Sequence, residues 1–521
     1  MTTAGLRLRC TGLPPRQGLA ALACCLSATA VWAQEAGRSL AASAQVSISE
    51  SYVETRSGAA ESNGGQFVTR VNPSLSLSGH TGRVQGSLYY AMNAPYQYSA
   101  SGHYRPEQGN TLTVQNTLSA NLVAEAVKGW LFVDARATVT EQALSAYGLQ
   151  TLPDSAQANA NKAPVGTADI SPYVRGTLVG TVDYELRLNA GVHEVKGTSD
   201  SDTTTLGGKV RLSSALRGTR LSWAIDLKQE NVEYKLGRKT FHNSATLSLT
   251  YTPNADLQFS VNGGQEATDV VQLEHQRYDI WGAGMRWTPT DRTSIRVQGD
   301  KRYYGSSHLL AFEHRMRRSS ITYTDSLEST NGGGGNSSST SGRPVTLYEL
   351  LFAQAAATEP DPILREQKVR ELLRQMGRDP AETIGSGTLN SAVSLQRRQD
   401  LSLAWRGVRN TLNLQAFVND SRLLDNPNGA PDAGVTRLHG YSASLSHQLT
   451  PVSSLALTGR RSVTDANANL AGNELKAVTL GWTATPSRRI NTALSAQYVV
   501  FNSTTRPYRE TSVTATLGLR F

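Results

Sequence analysis

The sequence predicts an all-β fold, a large antiparallel transmembrane β-barrel of about 20–22 strands. Three observations lead to this prediction. Apolar and polar side chains alternate almost everywhere after residue 40, and turns that contain Thr-Pro recur between the alternating segments. After the apolar run of residues 18–33, no stretch approaches the roughly 18 apolar residues that a membrane-spanning helix needs.

The alternation is clearest in the last ten residues, SVTATLGLRF (512–521). Their odd positions are apolar, from Val513 to Phe521, and their even positions are Ser, Thr, Gly or Arg. Residues 182–190 and 131–140 repeat the pattern. Strict alternation gives a strand one apolar and one polar face. The segments run roughly 9–13 residues, which is the length a tilted strand needs to cross a bilayer.

The composition of the two faces predicts what covers them. The polar faces are mostly Ser, Thr, Asn, Gln and Gly with some paired charge, as in a water-filled lumen. A soluble sandwich would have shorter strands and more charge on its polar faces. We therefore expect lipid on the apolar faces, because only a closed barrel satisfies every backbone group of a sheet in lipid.

Short polar turns join the alternating segments. Proline fits such turns, because it cannot donate a hydrogen bond within a ladder. Turns that contain Thr-Pro are predicted at 251–258, 287–294, 449–456 and 484–491, and further short turns at 216–222 and 405–412.

Aromatic residues next to these turns predict a girdle at one membrane interface. They are Trp130, Tyr251, Trp287, Trp405 and Trp482. Phe521, an aromatic residue that ends an alternating strand, resembles the C-terminal assembly signal of bacterial outer-membrane barrels. This resemblance implies that the barrel-insertion machinery reads Phe521.

Residues 1–33 have the pattern of a signal peptide, with arginines before an apolar run and small Ala33 at its end. A buried N-terminal helix is the alternative, and lipidation at Cys24 is rejected because the apolar run continues past it. Cleavage near Ala33 removes all three cysteines and three arginines. The mature chain then has 48 basic and 42 acidic side chains, a net charge of +6 that does not imply a nucleic-acid partner.

The remaining chain is predicted to consist of three regions. Residues 34–328 and 389–521 form the two parts of the barrel, and residues 329–388 form an insert between them. The insert begins with the flexible linker STNGGGGNSSSTSGR (329–343). A helical pair follows, in which Thr346 and Glu349 form a capping box.

The second helix of the insert has clear start and stop signals. Asp361 is its N-cap, Pro362 takes the first helical position and Gly377 ends it. Its apolar stripe consists of Val369, Leu372, Leu373 and Met376.

The position of the insert depends on the direction of the strands around it. If residues 293–305 run outward and 308–326 return as one strand, the insert must change sides of the membrane. Otherwise 308–326 is not a full crossing. We expect residues 329–388 to lie in the lumen as a partial plug, and an extracellular cap is the alternative.

No catalytic motif is present, so we expect no enzyme, no cofactor and no metal site. Carboxylates on the polar faces are expected to pair with arginine and lysine across strands. Rings of arginine would bias the ions that pass a pore, or bind carboxylates and phosphates. The predicted pore-lining residues are Arg136, Asp183, Glu185, Arg187, Arg211, Asp226, Lys228, Arg296, Asp300, Arg302, Arg398 and Arg460.

Two stretches carry a family resemblance. Residues 302–325 and 347–377 resemble the outer-membrane proteins that accompany PEP-CTERM/exosortase systems, and the barrel pattern on either side fits as well. The resemblance implies a location in the Gram-negative outer membrane and a genomic link with exopolysaccharide assembly. It implies no established activity.

We therefore expect a channel or export component in the outer membrane, connected with exopolysaccharide or PEP-CTERM surface systems. One alternative is a non-conducting barrel that scaffolds a surface assembly, and another is a hydrolase with its site at the rim. The expected partners are outer-membrane lipid, the barrel-insertion machinery, and acidic polysaccharide with its export proteins.

Overall fold

The computed structural model describes residues 39–57, 64–80, 82–99, 114–178, 181–197, 201–235, 238–272, 274–330, 345–346, 369, 383–384, 393–424 and 434–521. Within these residues the chain forms one 22-stranded antiparallel sheet and a separate pair of two-residue strands. The strand number agrees with the prediction from segment length.

The first part of the barrel contains fifteen strands. They are β1 (Ser39–Ser57), β2 (Gly64–His80), β3 (Val84–Ser99), β4 (Gln115–Val127), β5 (Leu131–Ala143), β6 (Lys162–Leu178), β7 (Val182–Val195), β8 (Thr203–Ala215), β9 (Leu221–Tyr234), β10 (Lys239–Asn254), β11 (Leu257–Thr268), β12 (Gln276–Thr290), β13 (Thr293–Arg302), β14 (Gly305–Arg315) and β15 (Ser319–Thr330).

The small strands β16 (Val345–Thr346) and β17 (Thr383–Ile384) follow. The second part of the barrel contains β18 (Ser394–Arg406), β19 (Asn410–Leu423), β20 (Thr436–Thr450), β21 (Ser453–Thr464), β22 (Asn473–Ala484), β23 (Ile490–Ser503) and β24 (Tyr508–Arg520).

The barrel closes where its first strand meets its last. Strand β1 pairs with both β2 and β24, and β15 pairs directly with β18. At the seam, the hydroxyls of Ser51 and Thr514 lie 2.9 Å apart, and the backbone N–H of Phe521 donates to the carbonyl of Ala44 at 2.8 Å. A closed sheet has no unpaired edge, so all its ladder groups are satisfied within the barrel.

The two ends of the barrel differ in their connections. At the end where β1 begins and β24 finishes, the connections are short; we call it the short-turn end. All six turns predicted from the sequence lie there, between β8 and β9, β10 and β11, β12 and β13, β18 and β19, β20 and β21, and β22 and β23. The opposite end, which we call the long-loop end, carries most of the longer connections.

The structure decides between the two alternatives for residues 308–326. They do not form one crossing strand but belong to two strands, β14 and β15. The basic run between them is a turn, closed by a hydrogen bond of 2.7 Å from Met316 N–H to the carbonyl of Ser319. Consequently β15 ends and β18 begins at the long-loop end, and the segment between them need not change sides.

Few residues of the predicted insert lie among those described. Strands β16 and β17 pair antiparallel, with Val345 opposite Ile384. Val369, from the predicted apolar stripe, is helical and 1% exposed. The rest of the predicted helical pair and the predicted signal peptide of residues 1–33 lie outside the described residues.

The outer surface of the barrel carries a continuous apolar band. Its leucines are exposed by up to about two thirds, as at Leu188 (64%) and Leu206 (60%). The predicted aromatics Tyr251, Trp287 and Trp405 lie at its short-turn edge, and Trp130 and Trp482 are exposed at the same level of their strands. Towards the long-loop end, exposed aromatics recur at Tyr52, Tyr96, Tyr98, Trp281, Tyr441 and Tyr498.

From the level of the second set of aromatics to the long-loop end, the outward face carries charged side chains. Arg437 binds Asp420 at 2.7 Å and Arg461 binds Glu474 at 2.6 Å. The strands therefore extend past the apolar band at the long-loop end. No helix in the described part of the chain is long and apolar enough to span a bilayer.

Candidate functional site

The strand register assigns one face of every strand to the lumen. On β24, the exposed side chains of Val513 and Leu517 point outward, so Tyr508 and Glu510 point inward. Following directly paired residues around the closed sheet carries this assignment to every strand. All twelve residues that the sequence predicts to line the pore share the inward face. That they line an open pore stays a prediction.

A long segment of the chain crosses this lumen. It is the connection of residues 144–161 between β5 and β6, which we call the lumen loop. It starts at the long-loop end and contacts the inward faces of β1, β2 and β21 to β24. Strands β21 to β24 lie beyond the β1–β24 seam from β5 and β6, so the loop reaches over the seam and narrows the barrel at that end.

Side-chain amides hold the lumen loop in shape. Asn161 accepts a hydrogen bond from the backbone N–H of Ser145 at 2.9 Å and donates to its carbonyl at 2.8 Å. Asn159 donates to the carbonyl of Leu149 and to the hydroxyl of Thr151, each at 3.0 Å. Asparagine suits this role, because its amide bonds neighbouring backbone groups in both directions. The loop is thus an ordered element without helix or strand.

Polar contacts fasten the loop to the wall on both sides of the seam. Arg70, only 3% exposed, donates to the carbonyl of Asp154 at 2.6 Å and to that of Ser155 at 3.5 Å. The phenol of Tyr508 donates to the carbonyl of Gln150 at 2.9 Å. Thr464 and Asn473 both donate to the carbonyl of Ala146, at 3.0 and 2.9 Å.

Apolar contacts complete this attachment. Leu152 belongs to a buried cluster with Leu475, Val499, Phe501 and Tyr508. Near the seam, Ala156 packs with Val53 and Val68, both of which have no exposed surface. Burial of such side chains stabilises the attachment by about 1.5–3 kcal/mol each.

The lumen wall from β5 to β13 is charged, and most of its charges are paired. Arg187 binds Asp134 at 2.7 Å and Glu185 at 3.0 Å, and its guanidinium lies 3.9 Å from the ring centroid of Tyr173. Lys209 and Arg211 both lie 3.5 Å from Asp226.

The other predicted pore-lining residues have a variety of partners. Arg302 binds Glu266 at 2.8 Å, and Arg398 binds Asp400 at 2.6 Å. The remaining pairs are Lys228 with Glu230, Arg136 with Asn121, Asp183 with Thr177 and Asp300 with Asn262. Of the four predicted carboxylates, Glu185 and Asp226 therefore pair with cations, whereas Asp183 and Asp300 accept hydrogen bonds from neutral side chains.

The stretch of wall from β20 through the seam to β3 is mostly neutral. Its inward side chains are largely hydroxyls, among them Ser442, Ser444, Thr458, Thr479, Ser495, Thr514, Ser47, Ser76 and Ser78. Several bond each other across strands, as Ser454 and Thr483 do at 2.8 Å. The lumen thus has a charged side and a hydroxyl-rich side, and the loop is fastened to the second. Among the described residues, no cluster of three or more metal-binding side chains occurs.

The sequence reasoning did not find the lumen loop. The signal that could have indicated it is a break in alternation at the long-loop end of β23, where Tyr498, Val499, Val500 and Phe501 are apolar on both faces. An inward-facing Val499 or Phe501 in a wet lumen needs a cover. The lumen loop supplies that cover.

Comparisons with known proteins show similarity of structure to outer-membrane proteins. No family model matches the chain, and no curated protein matches it. The FrpB iron transporter of Neisseria meningitidis is similar over 92% of this chain and 82% of that one, with 10% identity and a TM-score of 0.47.

Two further solved structures are similar over most of their length. The siderophore receptor PirA of Acinetobacter baumannii has 9% identity, with coverage of 92% and 80% and a TM-score of 0.44. OccK11 (OpdR) of Pseudomonas aeruginosa has 10% identity, with coverage of 92% and 96% and a TM-score of 0.33. At these values the likenesses carry no argument about what this chain binds.

Proposed function

We propose that this protein is an outer-membrane channel or export component whose lumen is narrowed by the lumen loop. The observation that carries this proposal is a hydrophilic lumen inside a closed barrel with an apolar outer band. The band needs lipid as its cover, and closed barrels with short turns on one side are typical of outer membranes. Lipid, and the insertion machinery that reads Phe521, are then its first partners.

We propose further that the segment between β15 and β18 fills part of the remaining lumen. Both of its ends lie at the long-loop end, and the pairing of β16 with β17 closes its base. Val393, its last residue before β18, is fully buried in one cluster with Val232, Tyr234 and Val270. This inward attachment favours a plug over a cap that stands away from the barrel.

The proposed cargo is an exported polysaccharide, and export proteins of an exopolysaccharide or PEP-CTERM system would be further partners. The sequence resemblance of residues 302–325 and 347–377 supports this proposal. We propose no enzymatic role and no cofactor. The paired charges of the wall and its hydroxyl-rich side agree with passive transport of a hydrophilic chain.

The test is single-channel conductance of the refolded protein in planar bilayers. One variant lacks residues 331–385, and a second has the lumen loop, from 145 to 160, replaced by a short Gly-Ser linker. A matched control has the same linker in place of residues 467–471, which connect β21 and β22 at the same end.

We expect low conductance from the full chain, a severalfold increase in each of the first two variants, and no change in the control. A rise only when the lumen loop is replaced would assign the narrowing to that loop and reject the plug. If neither the full chain nor any variant conducts, although a heat-modifiable band on a gel shows that each is folded, transport is rejected in favour of a scaffolding barrel.

A further inference from the structure

A group of exposed arginines lies at the short-turn end of neighbouring strands from β12 to β19. We call it the arginine rim. It consists of Arg286, Arg292, Arg296, Arg315, Arg317, Arg318, Arg406 and Arg409, all of which are exposed.

Backbone hydrogen bonds show that the rim is one continuous patch. Arg315 N–H donates to the carbonyl of Arg292, and Arg406 N–H donates to that of Arg318, each at 2.7 Å. The turns after β12, β14 and β18 therefore touch one another in sequence. From β12 to β19 there are five inter-strand spacings, so the patch extends roughly 24 Å along the wall.

Within the described residues, only one of the eight rim arginines, Arg315, belongs to an ion pair. Arg315 lies 3.3 Å from Glu313 and donates to the carbonyl of Asp291. Arg286 and Arg296 occupy directly opposite positions on β12 and β13. Like charges in such positions destabilise a sheet, so the fold alone gives no reason for this pair. A local arrangement that works against stability is expected where a protein binds something.

The register separates the rim from the lipid. Arg286, Arg296 and Arg406 share the inward face, because the neighbours Trp287 and Trp405 on the same strands lie in the outward band. A lipid headgroup would meet the outward face. The three inward arginines instead line the mouth of the lumen.

We propose that the arginine rim binds a carboxylate-bearing polysaccharide chain as it enters the lumen from the short-turn end. This rests on the proposed channel function and names its substrate class. Guanidinium groups pair with carboxylates through two parallel hydrogen bonds. A row of about 24 Å exceeds any small anion and fits a chain of several charged sugars. Short turns face the periplasm in such barrels, so the rim receives a chain before it is exported.

The test measures binding directly, without conductance. Fluorescein-labelled oligogalacturonate is titrated onto the folded full chain in neutral detergent micelles, and its anisotropy is followed. The variant is the triple substitution Arg286→Gln, Arg296→Gln and Arg406→Gln. The control removes the same charge from exposed turn arginines elsewhere at this end, as Arg217→Gln, Arg220→Gln and Arg488→Gln. Neutral dextran of equal length is the second probe.

We expect the variant to bind oligogalacturonate about tenfold more weakly, since each exposed charge contact contributes modestly. The control should lose much less, and dextran should bind neither protein. Equal losses in variant and control would overturn the proposal, because they would reduce the effect to net charge.

A further arm separates polysaccharide from lipid. Micelles enriched in phosphatidylglycerol are offered to the same proteins. If the triple substitution weakens retention of phosphatidylglycerol while oligogalacturonate binding stays unchanged, the rim is a lipid site and the proposal is wrong. A barrel that does not conduct but still binds oligogalacturonate at the rim would reject transport and keep the binding site. Failure of the proposed channel function and failure of the proposed binding site are therefore distinguishable.

Discussion

Ser155 donates a hydrogen bond of 2.7 Å from its hydroxyl to Oε2 of Glu510, although 355 positions separate the two residues in the chain. Glu510 is 1% exposed and lies on the last strand of the barrel. This bond joins the lumen loop to the wall next to the seam. The attachment of the loop and the closure of the barrel therefore share the same strands.

Arg70→Met should release the lumen loop locally. The substitution leaves the carbonyls of Asp154 and Ser155 without their buried donor, which costs about 1–3 kcal/mol. Amide hydrogen exchange within 144–161 should then be roughly 5- to 150-fold faster. Arg136→Met is the matched control, because Arg136 bonds Asn121 on the neighbouring strand and does not touch the loop. Unchanged exchange in Arg70→Met would mean that the other contacts hold the loop alone.

Arg302→Met should destabilise the barrel much more than Arg398→Met. Glu266 is 1% exposed and would become an unpaired buried carboxylate, at a cost of about 3–5 kcal/mol. The partner of Arg398, Asp400, is far better exposed, so that loss should be about 1 kcal/mol or less. Denaturant unfolding in micelles, followed by tryptophan fluorescence, measures both values.

Adding Glu266→Gln should restore much of the stability lost in Arg302→Met, because it removes the unpaired charge. If the double variant is as unstable as the sum of the single ones, the two side chains are not energetically coupled.

The turn between β14 and β15 should lie on the same side of the membrane as the other short turns. A peptide tag inserted between Arg317 and Arg318 should be inaccessible to antibody on intact cells and accessible after permeabilisation. The same tag between Thr504 and Thr505, in the loop between β23 and β24, should be accessible on intact cells. Surface labelling at the first position would contradict the two-strand arrangement.

Phe521→Ala should lower the yield of folded barrel in the membrane. The backbone bond of Phe521 to Ala44 is kept by this substitution, and the side chain is 77% exposed. Any loss then reflects recognition of the aromatic ring and not the stability of the folded state. Heat-modifiable protein in membranes measures the yield, and in vitro refolding without insertion machinery is the control, where no difference is expected.

Much of the fold could be predicted because the alternation of apolar and polar residues in a β-barrel strand indicates which way its side chains point. In each alternating segment, the apolar positions indicate the face that meets lipid. The positions between them were predicted to face inward, and all twelve predicted pore-lining residues do share the inward face. The strand count followed from segment length. The sequence left open whether 308–326 is one crossing, because the turn of residues 315–318 depends on a backbone hydrogen bond that no local pattern indicates.

The lumen loop could not be predicted from local sequence patterns. Its residues form no periodic element, and its partners, such as Arg70 and Glu510, are far away in the chain. Contacts of this kind follow from closure of the barrel, which brings β24 next to β1 and both within reach of the loop. The arginine rim shows a related limit, because its members come from separate strands and turns that the sheet makes adjacent.

The direct pairing of β15 with β18 has a consequence for how such a chain can change. The ladder passes from Thr330 to Ser394 without reference to the residues between them. Changes in the length of that segment are therefore expected to leave every wall strand with its neighbours. Variation in what the barrel admits can therefore accumulate at one position in the gene while the pairing of the wall strands is kept.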